Sequence, residues 1–241
     1  MKTVLIAISL LIGSEASIAG VANKDLEEIR ELTKTGQFQQ ALDKHLWFHE
    51  ESKSSPSMGG VRLSYAITAW LELAEKYPPA LEALVELREK NKEILLSGDG
   101  DFNNFHDLAA INQALGESEV TLELFLTLDQ SYPKQSSSYY IVAEELLIEH
   151  KRYDICAKYM GDPVVKYENV RHQRELGLSF ARTNSSMNTP SFLEYTDQSF
   201  IDGVLKLIEV LIAINKPENA HEIQQRALSY FPTESIKYAI Q

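Results

Sequence analysis

The sequence predicts an all-α chain, an α-solenoid of five to six helix-turn-helix hairpins. Two observations carry that expectation. First, Gly116 and Asn215 each open a helix whose apolar residues recur at helical spacing, and each is followed seventeen residues later by a proline, Pro133 and Pro232. Similar junctions recur along most of the 241 residues. One hairpin cannot bury its apolar face alone, so repeated hairpins stack into a continuous core. Second, alternating β-branched runs are absent and glycine is sparse, so no strand pattern competes.

Taken in chain order, the N-terminus has the layout of a secretory signal over residues 1–19. Lys2 supplies a positive start, residues 4–12 form an apolar run broken only by Ser9, and small residues follow at 17–19. Cleavage is expected after Ala19, with Ala22 as second choice, and a buried first helix is the competing reading. The run falls short of the ~20 residues that span a bilayer. No cysteine follows it, which argues against a lipid anchor. The mature chain is therefore expected outside the cytoplasm, periplasmic or secreted, with one helical-repeat domain over residues 23–241 and no membrane insertion.

In that domain Gly36, Pro78, Gly116, Lys151 and Asn215 mark the turns, at intervals of 42, 38, 35 and 64 residues. Ile29 and Leu32 precede Gly36, with Phe38, Ala41, His45 and Phe48 after it. Trp70, Leu71 and Ala74 precede Tyr77-Pro78, with Ala80, Ala83 and Leu87 after it. Phe105, Leu108, Ala109 and Asn112 precede Gly116, and Thr121, Phe125 and Leu128 follow. Ala143 and Leu147 precede Lys151, with Tyr153, Cys156 and Met160 beyond, and Gly161-Asp162-Pro163 cuts that helix short. Val204, Leu207, Ile208 and Leu211 precede Asn215, and Ala220, Gln224 and Ala227 follow. The small residues let paired helices approach while larger ones fill the groove between them. Gly116 and Ala220 are read as packing-critical on this plan. The long last interval holds a degenerate further unit, with Leu176, Gly177 and Phe180 on its first helix and Asn184 at its turn. Residues 184–196 are expected to be loop-rich, with at most a short helix after Pro190. Residues 52–60 and 97–101 are the other expected loops.

Small residue, aromatic and closing proline at these offsets resemble a divergent tetratricopeptide-repeat array over the whole of the region from Asn23. The units at Gly116 and Asn215 match best. Lys151 and Pro78 stand where a turn glycine is usual, Lys90 occupies an expected small position, and the repeat lengths drift. Sel1-like and other helix-pair solenoids share the plan. The segments Trp47-Phe48-His49-Glu50, Gly60-Val61-Arg62-Leu63-Ser64-Tyr65 and Tyr77-Pro78-Pro79-Ala80 are also similar to an uncharacterised family of exported bacterial repeat proteins, a resemblance that supplies no activity.

Composition narrows the function classes. The net charge of −12 and pI near 5.0 disfavour nonspecific binding to nucleic acid or anionic membranes. The single cysteine, Cys156, forms neither an internal disulfide nor a thiolate zinc site and reads as a buried core thiol. His45 and His49 share a helix face, but no glutamate of metallopeptidase type lies between them and no third ligand is identifiable, so they read as packing histidines. Asp99 to Asn103 begin like a calcium loop, yet Asn104 and Ala110 stand where the turn glycine and bidentate glutamate belong, which leaves Asp101 or Asn103 as a helix cap. Gly59-Gly60 lacks the lysine-hydroxyl pair of a phosphate loop. No catalytic residues and no cofactor are indicated.

One electrostatic feature stands out. Residues 151–182 carry seven Lys or Arg against four Asp or Glu, in a chain that is otherwise acidic. Arg171 and Arg174 share a face that excludes Leu176 and Phe180. The tetratricopeptide resemblance implies that first helices line a concave groove. That would place Arg171, Arg174 and Arg182 beside Ile141, Glu145 and Ile148, with His106 and Gln113 further along. Arginine suits bidentate recognition of carboxylates, and a solvated basic face is the alternative. The expected function is an exported, non-catalytic scaffold whose groove takes a protein or peptide, with an acidic segment favoured. The alternatives are a helical-repeat enzyme or auxiliary subunit acting on cell-envelope polymers, and a homo-oligomer whose groove holds another copy.

Overall fold

A computed structural model describes residues 21–55 and 58–240. The predicted signal segment lies outside the described residues. Those described form thirteen helices and no strand: α1 (Asn23–Lys34), α2 (Phe38–Ser52), α3 (Gly59–Leu63), α4 (Tyr65–Ala74), α5 (Pro78–Ser97), α6 (Phe102–Leu115), α7 (Ser118–Ser131), α8 (Pro133–Glu149), α9 (Tyr153–Tyr159), α10 (Pro163–Thr183), α11 (Pro190–Ala213), α12 (Pro217–Tyr230) and α13 (Glu234–Lys237). They divide into two compact units, and the boundary falls within α5 after Leu87. Within each unit, helices pack mainly against their neighbours in sequence.

Four predicted turns share one geometry. Gly36, Gly116, Lys151 and Asn215 all have left-handed backbone, with φ of 81°, 74°, 55° and 59°. In each, the next residue's N–H donates to the carbonyl five residues back: Gln37 to Leu32, Glu117 to Asn112, Arg152 to Leu147 and Lys216 to Leu211, at 2.7–2.9 Å. The left-handed residue's own N–H donates three residues back, and a new helix begins two residues after it. This is a Schellman turn made four times. Five residues after each turn stands a small, fully buried side chain: Ala41, Thr121, Cys156 and Ala220. Nine residues after it stand His45, Phe125, Met160 and Gln224, all buried. The periodic pattern is therefore a packing pattern.

Several expectations are corrected. A Cβ at Gly116 would meet nothing within 4 Å, so that glycine serves its positive φ and not a close contact, whereas Ala220 is wholly enclosed. Pro78 is not a turn centre but the first residue of α5. Pro133, Pro163, Pro190 and Pro217 open helices in the same way, where the missing N–H costs nothing. Residues 184–196 are mostly helical: only 184–189 connect α10 to α11, and Asn184 is extended, not left-handed. The degenerate unit's second helix and the final unit's first helix are one continuous α11 of 24 residues. Asp101 caps α6 as expected, its carboxylate accepting from Asn104 N–H at 3.0 Å.

In the first unit Ile29, Phe48, Trp70 and Leu73 form the core, and the Trp70 indole N–H donates to the Ala80 carbonyl at 2.8 Å. The second unit is built on stacked aromatics. Phe105 lies parallel to Tyr139 at 5.0 Å and meets Phe125 edge-on at 5.9 Å. Phe200, Val204 and Leu211 of α11 carry the core on to Ala220 and Ile223 of α12.

Candidate functional site

The predicted groove residues are distributed over several places. On α10 the inward stripe is Tyr167, Val170, Arg174, Gly177 and Ala181, spaced three and four apart. Leu176 and Phe180, read from sequence as packing residues, each remain 49% exposed. Arg174 takes the core position. Its guanidinium lies 4.0 Å from the Phe231 ring centroid, with Tyr230 and Phe200 further round. Its Nε donates to Asp197 at 2.9 Å and Nη1 to the Tyr230 hydroxyl at 3.2 Å. A delocalised, weakly hydrated cation suits this aromatic enclosure. Arg171 shares the Tyr230 ring, at 5.1 Å, but donates to Glu175 at 3.0 Å and Glu168 at 3.1 Å on its own helix. Arg182 is exposed near the end of α10. His106 and Gln113 lie on α6, His106 against Phe102 at 5.1 Å and Gln113 in solvent.

Ile141, Glu145 and Ile148 do come together. They stand along one side of α8 and, with residues of α10 and α11, line a trough of about 260 Å³. Its apolar floor is Ile148, Met160, Val170, Leu207 and Val210. Ile141 stands at the trough 73% exposed, a large apolar side chain with little cover. Two lysines reach across from facing helices: Lys166 of α10 pairs with Glu144, and Lys206 of α11 pairs with Glu145. The Glu145 bond holds the Lys206 ammonium above its ordinary pKa. Behind the first pair, the Tyr140 hydroxyl donates to Glu144 at 2.8 Å, and Lys166 lies 5.2 Å from the Tyr140 ring. Burial and then the Glu144 charge push the Tyr140 phenol up, and burial pushes the adjacent Cys156 thiol up. The shifts favour the protonated phenol and thiol, and the Tyr140 hydroxyl backs the Glu144–Lys166 pair as a hydrogen-bonded wall. No protein-family model, curated protein or solved structure matches this chain.

A second groove, of about 370 Å³, continues along the same two helices and shares Val170 and Gly203 with the first. Its lining includes Gly177, Phe192, Tyr195 and Thr196. The helices approach so closely here that a Cβ on Gly203 would fall 2.8 Å from Val170 Cγ1, and one on Gly177 2.8 Å from Thr196 Cγ2. Lys166, Lys206 and Gly203 were not legible in the sequence as site residues, because each acquires its role from partners on other helices. The available signal was the 3-4 stripe Tyr167, Val170, Gly177, Ala181, which points Lys166 to one flank and Leu176 outward. Among the described residues no three His, Cys, Asp or Glu side chains gather to hold a metal ion, and no helix is long and apolar enough to cross a membrane.

Proposed function

We propose that this chain is an exported, non-catalytic interaction module, a tetratricopeptide-like α-solenoid whose trough between α8, α10 and α11 takes a peptide segment of a partner protein. Four Schellman turns followed by the same small buried position support the repeat reading. The observation that carries the function is the trough itself: an apolar floor, an exposed Ile141, and a Lys206 held by a solvent-exposed ion pair to Glu145. The exposed Lys206–Glu145 pair contributes little, about 0–1 kcal/mol, so a ligand carboxylate displaces Glu145 at small cost. The favoured peptide places an acidic residue beside an aliphatic one, the carboxylate on Lys206 and the aliphatic chain on Ile141 and Leu207. The acidic preference expected of the arginines thus passes to Lys206, because Arg174 is consumed in the core.

Selection from a displayed peptide library tests this. Enriched peptides should share the acidic-aliphatic pair, and Ile141→Asp and Lys206→Glu should each weaken binding about tenfold or more. Arg171→Glu should leave it unchanged. Binding that survives both trough variants and disappears with Arg171→Glu would return the site to the basic face of α10. Intact mass of the native chain tests the export part: recovery from outside the cytoplasm with Gly20 at its N-terminus is expected, and a full-length cytoplasmic chain would remove it.

A further inference from the structure

The first unit holds a cluster that the interaction reading does not use. His45 of α2 is 1% exposed, and neither ring nitrogen makes a hydrogen bond of good geometry, although the Ala69 carbonyl lies close enough to favour the protonated ring. Its ring stacks on Trp70 of α4 at 5.0 Å and 25°. His49, one turn on, is 5% exposed and meets the same indole edge-on at 6.4 Å. The position of His45 is occupied by Phe125, Met160 and Gln224 after the other three turns, so an uncharged side chain is what the packing accepts there.

We propose that the α1–α4 unit is an acid-responsive element, in which protonation of the His45–His49 pair opens the packing around Trp70 while the second unit stays folded.

The charges around the pair decide the direction. Arg62 of α3, itself buried, and Lys53 of α2 oppose a positive His49, while Glu50 favours it. On α1, Asp25 and Glu28 are both engaged by Lys44. The only charged residue of α4 is Glu72, which is exposed, as are Glu82 and Glu86 at the start of α5. Burial holds His45 down to about 3, offset in part by the Ala69 carbonyl, and burial and Arg62 hold His49 down to about 3. An unfolded histidine titrates near 6.5. Between those values the open state binds protons that the closed state does not. Stability is therefore present in full above pH 6.5 and falls as the pH drops towards 3. In a chain exported as the N-terminus predicts, no cytoplasmic buffer stands between this cluster and ambient acid.

The chain carries its own reporter. Both tryptophans, Trp47 and Trp70, lie in the first unit, so their fluorescence follows that unit alone. On acid titration of the full chain, a Trp transition between pH 6.5 and 3 should precede loss of amide-exchange protection in α6–α8 and α11. The double variant His45→Met with His49→Gln should move the Trp transition down by about one pH unit or more and leave the second unit's transition in place. Equal midpoints in variant and parent would overturn the proposal. If the double variant does not fold, His45→Gln and proton NMR of the parent histidines decide. A His45 ring that titrates near 6.5 with Trp70 still enclosed would also overturn it.

Discussion

At the residue scale, the two left-handed non-glycine positions invite a paired test. Lys151 and Asn215 hold φ of 55° and 59°, a region in which a Cβ costs about 1–2 kcal/mol. Lys151→Gly should remove that cost and, after the extra unfolded-state entropy of glycine, stabilise the chain by up to about 1 kcal/mol. Gly116→Ala should do the reverse and cost about 1 kcal/mol although no atom obstructs the new methyl group. Thermal melting of both checks the reading, and a neutral Gly116→Ala would mean that the turn tolerates a different backbone. Arg174 and Arg171 make a second contrast. Arg174→Met loses the ring stack and the Asp197 bond and should cost about 2 kcal/mol, a figure held down because Asp197 still reaches water. Arg171→Met should fall within about 0.5 kcal/mol of the parent in urea denaturation.

At the element scale, the pairing of α10 with α11 depends on glycine. Helical glycine costs up to about 1 kcal/mol against alanine, yet Gly203 and Gly177 sit within long helices where α10 and α11 touch. Gly203→Ala gains helix propensity but drives a methyl group into Val170, whose branched side chain has no flexible end to yield. Overpacking costs about 1–3 kcal/mol, so the variant should be less stable than the parent. Adding Val170→Ala should restore much of the loss, and a double-mutant cycle measures the coupling. Additive effects would show that the two residues do not meet. The same crossing shapes the shared wall of the two grooves, so the uncompensated variant should also weaken peptide binding.

At the scale of the whole molecule, charge dominates the surface. The chain carries −12 at neutral pH, and many of the ion pairs among the described residues are exposed and individually weak. Self-repulsion should therefore outweigh them. Sodium chloride shortens the Debye length from about 30 Å at 0.01 M to about 10 Å at 0.1 M, and the melting temperature should rise by a few degrees over that range. A fall would mean that the surface pairs act as a stabilising network.

What the sequence determined by itself is local. Left-handed turns at Gly36, Gly116, Lys151 and Asn215, the small residue five positions on, and the helix start at Pro217 follow from backbone sterics and a 3.6-residue period within about twenty residues of chain. They were legible even where Lys151 replaced glycine, because the flanking apolar spacing fixed the turn. What only the tertiary structure decided is which polar groups stay in water. Arg174 and Leu176 are two residues apart, and sequence assigned the cation to a groove and the leucine to the core. Where α10 and α11 approach closely at Gly177 and Gly203, Arg174 meets Phe200, Tyr230 and Phe231, residues 26 to 57 positions away. There the guanidinium meets three aromatic rings and a carboxylate in place of water, and those neighbours are ones that no local pattern supplies. The trough at Lys166 and Lys206 became visible for the same reason: its walls come from three helices, and their spacing is set by how closely two glycines let α10 and α11 pack.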